Sequence, residues 1–495
     1  MRILAFFALL SALPLSAQEP TSKPPERWNV LLLTSDDLNY DSLGFAGCPI
    51  PGISPNLDKL AASGMRFEQA FVTVAVCQPC RSVLMTGRYP HRNGAVGFNP
   101  IFPGVPTLPA TLRAAGWRTG VMGKASHTPP LERDAWDMTG SANPKDPADF
   151  GREARAFFER AKKDGVPFYL NVNSHDPHRP FAGSAQESQK AAKGPKRKAG
   201  GRKGGAAKEE GGEEDAAGGQ AAEPTRVYKP EEVPVPGFLP DLPDVRREVA
   251  QYFTSVHRGD ETHGAVLKAL DETGLADRTI VVYLSDHGMS FPFSKSNCYR
   301  TSNRTPLVVR WPGVVKPGAV EAAHMVSGID LMPTLLDVLG VEAPPGMDGR
   351  SFVPLLRGEP QEGRDRVVTV YHRTSGDRDY LMRCVRTKTS AYIYNAWSDG
   401  KTDFKVEAMA GLSFAAMQAS KDPAVKARVE LFLHRVPEEF YDEAKDPDDL
   451  HNLIADPGRK GEIEEARKVL REWMEKTKDP LIGTYRTHLR KDGGN

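Results

Sequence analysis

Residues 28–37 read WNVLLLTSDD. The apolar residues run on continuously instead of alternating, and the run ends in two carboxylates. That pattern suits a central strand buried on both faces, with polar residues at its C-terminal end. WRTGVMGK (117–124), PFYLNVNSHD (167–176) and TIVVYLSDHG (279–288) repeat the theme, each running into Lys, His or Asp. Helical patterns lie between these strands at 148–165, 244–274 and 329–340. SPNLDKLAASG (54–64) predicts a further helix, with Ser54 as N-cap, Pro55 at the first helical position and Gly64 as the stop. Alternating strand and helix implies an α/β fold built on a large, mainly parallel mixed sheet flanked by helices. Ligands of such sheets bind beyond the carboxyl ends of the strands, where this chain collects its polar residues.

From about residue 365 the texture changes. RVVTVYH, YLMRCVRTK and SAYIYNAW read as short strands joined by turns, and GEIEEARKVLREWMEKT (461–477) reads as an amphipathic helix. We expect a smaller α+β C-terminal domain over 365–495, with a short antiparallel sheet and a helix, after a larger domain over 25–364. Residues 184–224 carry almost no large apolar side chain and turn from basic to acidic, so they predict a disordered low-complexity insertion. Its basic half could touch a polyanion; a solvated loop without function is the plainer reading. No internal repeat stands out.

The chain has 495 residues, 26% of them charged, with a net charge of +1. Nothing global suggests nucleic acid as a partner. The mean hydropathy of −0.45 fits a soluble globular protein. MRILAFFALLSALPLSA has a basic start, a short apolar run and small residues up to Ala17. It reads as a signal peptide over 1–17, with a retained N-terminal anchor as the alternative. No later run is long enough to span a membrane, so the mature chain is expected to be secreted or periplasmic. Five cysteines (48, 77, 80, 298 and 384) are too few for a disulfide scaffold.

Asp36 and Asp37 end the first strand and Asp286 ends a later one. Adjacent carboxylates repel unless a cation neutralises them, and an oxygen-rich set suits Ca²⁺ or Mg²⁺. A helix cap at Asp36 or Asp37 and a turn at Asp286-His287-Gly288 are the plainer alternatives. Lys124 and His127 in GKASH, His175 and His178 in HDPHR, and Lys295 in FPFSKSN add cations and imidazoles near strand ends. Singly, each would be a surface or hydrogen-bonding residue. Together they look like a pocket for a tetrahedral anion, whose transfer also needs a general acid.

VCQPCRSVLMTGR (76–88) holds the nucleophile candidate. Cys77 and Cys80 could be a redox pair or half a zinc site, but the zinc reading lacks a second pair at suitable spacing. After Pro79 the residues read as a helix start. Cys77 then lies near a helix N-terminus, which favours anions, with Arg81 one turn on.

C-x-P-x-R followed by TGR closely resembles the signature of the sulfatase family. TSDD, GK-x-x-H, HDPH, SDHG and EFYDEAKDPDDLHNL (439–453) resemble further sulfatase blocks, in family order. The resemblance spans about residues 28–480 and leaves out the insertion. HDPHR, the SDHG to FPF stretch and MRCVRTK with YIYN look most like the sulfamidase branch, N-sulfoglucosamine sulfohydrolase. The GK-x-x-H spacing and His287 look like iduronate 2-sulfatase. His287 stands where many sulfatases have Asn, and Cys80 where serine is usual.

The resemblance implies an alkaline-phosphatase-like fold and a formylglycine made from Cys77 by a formylglycine-generating enzyme. One hydroxyl of its hydrate attacks sulfur, a histidine protonates the leaving atom, and loss of the second proton expels sulfate. It implies a divalent cation, Ca²⁺ ahead of Mg²⁺, held by Asp36, Asp37, Asp286 and residue 77, with His287 in question. Arg81 would hold the formylglycine and the metal-side oxygens, Lys124 and Lys295 the sulfate oxygens. His127 would serve the diol and His178 the leaving group, with His175 behind them. The implied partner is a sulfated glycan, with an N-sulfoglucosamine or related glycosaminoglycan unit as the lead. A phosphonate or phosphodiester hydrolase on the same fold and a catalytically silent glycan-binding protein are the alternatives. Oligomeric state stays open.

Overall fold

The computed structural model describes residues 27–193 and 221–491. The expected signal peptide and residues 194–220 of the expected insertion lie outside them. Eight strands form one sheet in the spatial order Met138–Thr139, Arg118–Met122, Phe168–Asn173, Asn29–Ser35, Thr279–Ser285, Leu307–Arg310, Met65–Phe67, Ala319–Glu321. The pairs around Asn29–Ser35 are parallel, and only Leu307–Arg310 runs antiparallel to its neighbours. All seven residues of Asn29–Ser35 and all seven of Thr279–Ser285 are buried. Their unbroken apolar runs are what a strand covered on both faces requires.

Register decides where the chemistry goes. Asn29 pairs with Thr279 and Ser35 with Ser285, so the two strands end in step. Thr34 pairs with Asn173, and Met122 with Val172. The residues that follow all four strands therefore emerge along one edge.

Helices Pro147–Asp164 and Pro243–Glu272 pack on each other beside this sheet. The Asp146 carboxylate caps the first by accepting from Ala148 N and Asp149 N, a contact worth about 1 kcal/mol. Helix Pro55–Ser63 forms where expected, with proline in its first turn and Gly64 after it. Its cap differs. Ser54 makes no capping bond. Its hydroxyl instead accepts from Gly44 N at 2.8 Å and donates to Asp58 Oδ1 at 3.0 Å. Asp260, from the long helix, receives Asn56 N at 3.1 Å and Leu57 N at 2.8 Å. A carboxylate fixed on a neighbouring helix satisfies two orphan donors where the local serine would satisfy one.

The second sheet is antiparallel, in the order Arg366–Arg373, Asp379–Thr387, Ser390–Asn395, Glu438–Asp442, and helix Lys460–Thr477 packs against it. The segment expected to be a disordered insertion begins as a helix, Ala185–Lys193. Glu187 ties it down through Arg258, whose NH2 donates at 2.8 Å. That ion pair, with the bond from Gly183 N to Glu187 Oε2 at 2.9 Å, anchors a helix that has no large apolar side chain. Among the described residues no helix is long and apolar enough to cross a membrane.

Candidate active site

The in-step strand ends bring Asp36, Asp37, Asp286 and His287 together, all fully buried. Asp37 has φ 66°, in the left-handed region that Asp tolerates better than most residues. This turn breaks the strand's alternation, so consecutive carboxylates can share one site. Lys124 has φ 47° and follows Gly123 at φ 65°. A Cβ at Gly123 would stand 2.1 Å from the Asn173 carbonyl, so only glycine lets the two strand ends approach this closely.

Helix Cys77–Thr86 approaches from the side with all ten residues buried, and it ends at Gly87. Cys77 is its first residue, and its Sγ donates to Asp36 Oδ1 at 3.3 Å and lies 3.4 Å from His287 Nε2. Sγ marks where an oxygen of a converted residue 77 would stand, since both are bonded to Cβ. Cys80 points into the hydrophobic core, and burial pushes its thiol well up. All five cysteines are free. The redox-pair reading fails here because Cys80 faces apolar packing and Cys77 faces carboxylates.

Arg81 does not donate to Cys77. Its NH2 donates to Asp286 Oδ2 at 2.8 Å, and its NH1 donates to Thr34 Oγ1 at 3.0 Å and to Asn173 Oδ1. Asn173 is held in turn by donating to Met122 O at 3.2 Å and Gly123 O at 3.0 Å. Burial opposes the charge of Arg81, but Asp286 and Asp36 more than offset it and the guanidinium stays charged.

The two adjacent carboxylates diverge. Burial raises both, but Lys124, His178 and Arg81 hold Asp36 well below the ordinary value, with Lys124 Nζ 2.9 Å from Asp36 Oδ2. Asp37 has Lys295 Nζ 2.9 Å from its Oδ1, yet burial and the repulsion of Asp36, Glu407 and Asp286 push it well above. Donor atoms of Asp36, Cys77, Asp286 and His287 lie within 4.8 Å of one another, and so do those of Asp36, Asp37, Cys77 and His178. Crowded carboxylate oxygens of this kind fit a hard divalent cation.

His287 Nδ1 lies 3.0 Å from Gly288 O. A carbonyl only accepts, so Nδ1 carries the proton and the Nε2 lone pair faces the cluster. Nε2 sits 3.5 Å from Asp37 Oδ1 and 3.7 Å from Asp286 Oδ1. Burial lowers its proton affinity, which keeps that lone pair open. His178 is held the same way, with Nδ1 2.6 Å from Arg179 O and Nε2 3.9 Å from Glu407 Oε1. Burial, Lys124 and Lys295 lower it well below the ordinary histidine value. His175 packs edge-on against His178 at 5.1 Å between ring centroids. His127 is buried in the turn after Lys124, edge-on to Phe98 at 5.6 Å. Neither belongs to the two groups of clustered donor atoms.

Three functional contacts escaped the sequence reading. Glu407, from the segment after the third C-terminal strand, places Oε2 2.7 Å from Lys295 Nζ. It is an isolated acid in FKVEAMAG, and nothing local singles it out. Asn173 and Thr34 steady Arg81, and the strand-end logic that found their neighbours applied to them equally. Asp176, inside HDPHR, takes Arg258 Nε at 2.6 Å and NH2 at 3.1 Å. That pair fastens the turn carrying His175 and His178 to the long helix.

A sequence model described as "Sulfatase" matches residues 28–341, and one described as "N-sulphoglucosamine sulphohydrolase, C-terminal" matches 286–399. Human N-sulphoglucosamine sulphohydrolase is 29% identical over 92% of this chain and 91% of its own. A solved structure described as a complex with its substrate D-glucosamine-2-N,6-O-disulfate superposes with TM-score 0.65 at 19% identity. The match covers 92% of this chain and 99% of that one. The phosphonate monoester hydrolase of Agrobacterium radiobacter superposes with TM-score 0.60 at 18% identity, covering 91% and 96%. At these identities the superpositions speak for the fold alone.

Proposed function

From the premise that this chain belongs to the sulfatase family of sulfuric ester hydrolases, we propose that it removes sulfate from a sulfated glycan, with residue 77 as nucleophile after conversion to formylglycine. The observation that carries the reading is Cys77 at the first position of a wholly buried helix, its Sγ within 3.4 Å of Asp36 and His287. Formylglycine supplies two hydroxyls on one carbon, one to attack sulfur and one whose proton loss lets sulfate depart.

Asp36, Asp37, Asp286, His287 and residue 77 would hold Ca²⁺. Bound there, the cation supplies positive charge that offsets the charge gathering on the sulfuryl group. The Nε2 lone pair of His287 supports its inclusion, although imidazole is an unusual partner for Ca²⁺. Arg81 locks Asp286 between the strand ends. Lys124 and Lys295 keep N–H donors for sulfate oxygens. His178 presents Nε2 to the leaving atom, His175 backs its ring, and His127 serves the proton of residue 77.

The lead substrate is N-sulfoglucosamine or a related glycosaminoglycan unit, supported by the human relative's name and by the match over 286–399. We read residues 1–17 as an export signal, 25–364 as the catalytic domain and 365–495 as a C-terminal subdomain. Export would place the mature enzyme outside the cell or in the periplasm, after a formylglycine-generating enzyme has acted.

The test is a desulfation panel. The protein is co-expressed with a formylglycine-generating enzyme and residue 77 is checked by mass spectrometry. Sulfate release is then measured from N-sulfoglucosamine, 2-O-sulfated uronate and 6-O-sulfated hexosamine glycans. An aryl phosphodiester and Cys77→Ala run beside them. Preference for a sulfated sugar, lost in the variant, supports the proposal. Turnover of the phosphodiester alone moves the chain to the phosphonate and phosphodiester hydrolases that share the fold. Glycan binding without turnover on a converted residue 77 makes it a binding protein.

A further inference from the structure

Glu407 is a carboxylate inside an anion pocket. It arrives from the C-terminal part of the chain, on the short turn Glu407–Ala410. Its Oε2 lies 2.7 Å from Lys295 Nζ and its Oε1 3.9 Å from His178 Nε2, with its side chain 15% exposed. These are the two groups assigned to the sulfate oxygen and to the leaving atom. Glu407 belongs to neither group of clustered donor atoms, so a cation bound to Asp36, Asp37 and Asp286 leaves it uncovered.

The helix that follows the turn, Leu412–Ala419, is held at its start. Glu248 accepts from Leu412 N at 3.0 Å and Ser413 N at 2.7 Å, and Arg179 NH1 donates to Glu248 Oε1 at 2.6 Å. Arg179 follows His178 directly, so one ion pair ties the segment carrying the histidine to the start of that helix.

An ammonium group has three N–H donors. Lys295 gives one to Asp37 and one to Glu407, which leaves the third for a sulfate oxygen. A bound sulfate and the Glu407 carboxylate then sit on neighbouring corners of one tetrahedral nitrogen. The sugar carrying that sulfate must turn some of its atoms toward Glu407. Hydroxyl or amino groups there can donate to the carboxylate, whereas a sugar carboxylate meets like charge in a poorly solvated wall.

We propose that Glu407 is a specificity residue that selects a hydroxyl- or amine-bearing sugar unit and rejects a uronate at the scissile position. This rests on the sulfatase reading above, and the experiment separates the two.

Wild type, Glu407→Gln and Glu407→Asp, each with residue 77 converted, are compared on N-sulfoglucosamine, a 2-O-sulfated uronate and an aryl sulfate that carries no sugar. Wild type should favour the amino sugar over the uronate in kcat/KM. Glu407→Gln keeps the shape and removes the charge, so the ratio should narrow by roughly ten- to a hundredfold, chiefly through a lower KM for the uronate. Glu407→Asp keeps the charge and should keep most of the ratio. Melting temperatures check that the variants fold. An unchanged ratio in Glu407→Gln while aryl sulfate turnover persists would overturn this inference alone, as would a wild-type preference for the uronate. Absence of turnover on all three substrates in converted wild type would overturn the sulfatase reading and this inference with it.

Discussion

Two buried ion networks sit at opposite ends of the functional range. In the C-terminal sheet, Arg383 gives Nε to Asp479 Oδ2 at 2.7 Å and NH2 to Asp479 Oδ1 at 3.2 Å. Its remaining donors go to Tyr371 O, Met382 O and His372 Nε2. All five guanidinium N–H groups are used, and one cation meets one anion. At the sheet's carboxyl edge, four carboxylates face three cations. A closed network orders the fold; an open and over-acidic one is poised to take a cation and then an anion.

The contrast breaks first if Cys77→Ala keeps turnover. Relative to converted wild type, that variant should lose sulfate release by at least about 10⁴-fold, with an almost unchanged melting temperature. Asp479→Ala should do the reverse. It strands Arg383 in the interior and should cost about 3–5 kcal/mol of stability, read as a lower urea midpoint, while the folded fraction keeps its KM. Chelation comes next. EGTA should abolish turnover and lower the melting temperature, and Ca²⁺ at a hundred times its dissociation constant should restore about 2.7 kcal/mol. A melting curve indifferent to EGTA and Ca²⁺ would mean that the open network takes no cation.

Glu438 offers the smallest and sharpest test. Burial works against its charge, but hydrogen bonds from His488, Arg467 and Tyr392 hold it down to about 2, from an ordinary 4.5. A depressed carboxyl contributes its stability above the unfolded value and loses it on acidification. The contribution should therefore be complete above about pH 4.5 and vanish as pH falls toward about 2. Glu438→Gln should flatten acid unfolding in that window and leave the neutral pH-rate profile alone.

The strand ends were legible because a strand buried on both faces must be apolar throughout, so its first polar residues mark the edge. Asp36, Lys124, His175 and Asp286 all fall there. The helix cap from Asp260 was hidden, because the carboxylate and the N–H groups it satisfies lie about two hundred residues apart. Separation along the chain, here 71 residues, also hid the order in Ala185–Lys193, whose composition carries no large apolar signal and whose anchor is Arg258. Arg81 reaches the carboxylates Asp286 and Asp36, as expected of a residue on the metal side, but its bonds to Thr34 and Asn173 were hidden because the sequence shows only its nearness to Cys77 along the helix.

By itself, the sequence determined the fold class and the family, and it singled out Cys77 as the nucleophile candidate. Apolar runs, turn residues and a C-x-P-x-R motif are local, and local patterns survive without a structure. Only the tertiary structure decided that two strands end in step, that His287 turns its lone pair to the cluster, and that Glu407 closes the pocket from the far end of the chain. These depend on register, on a ring's second hydrogen bond and on long-range packing, and none of the three leaves a local trace in the order of residues.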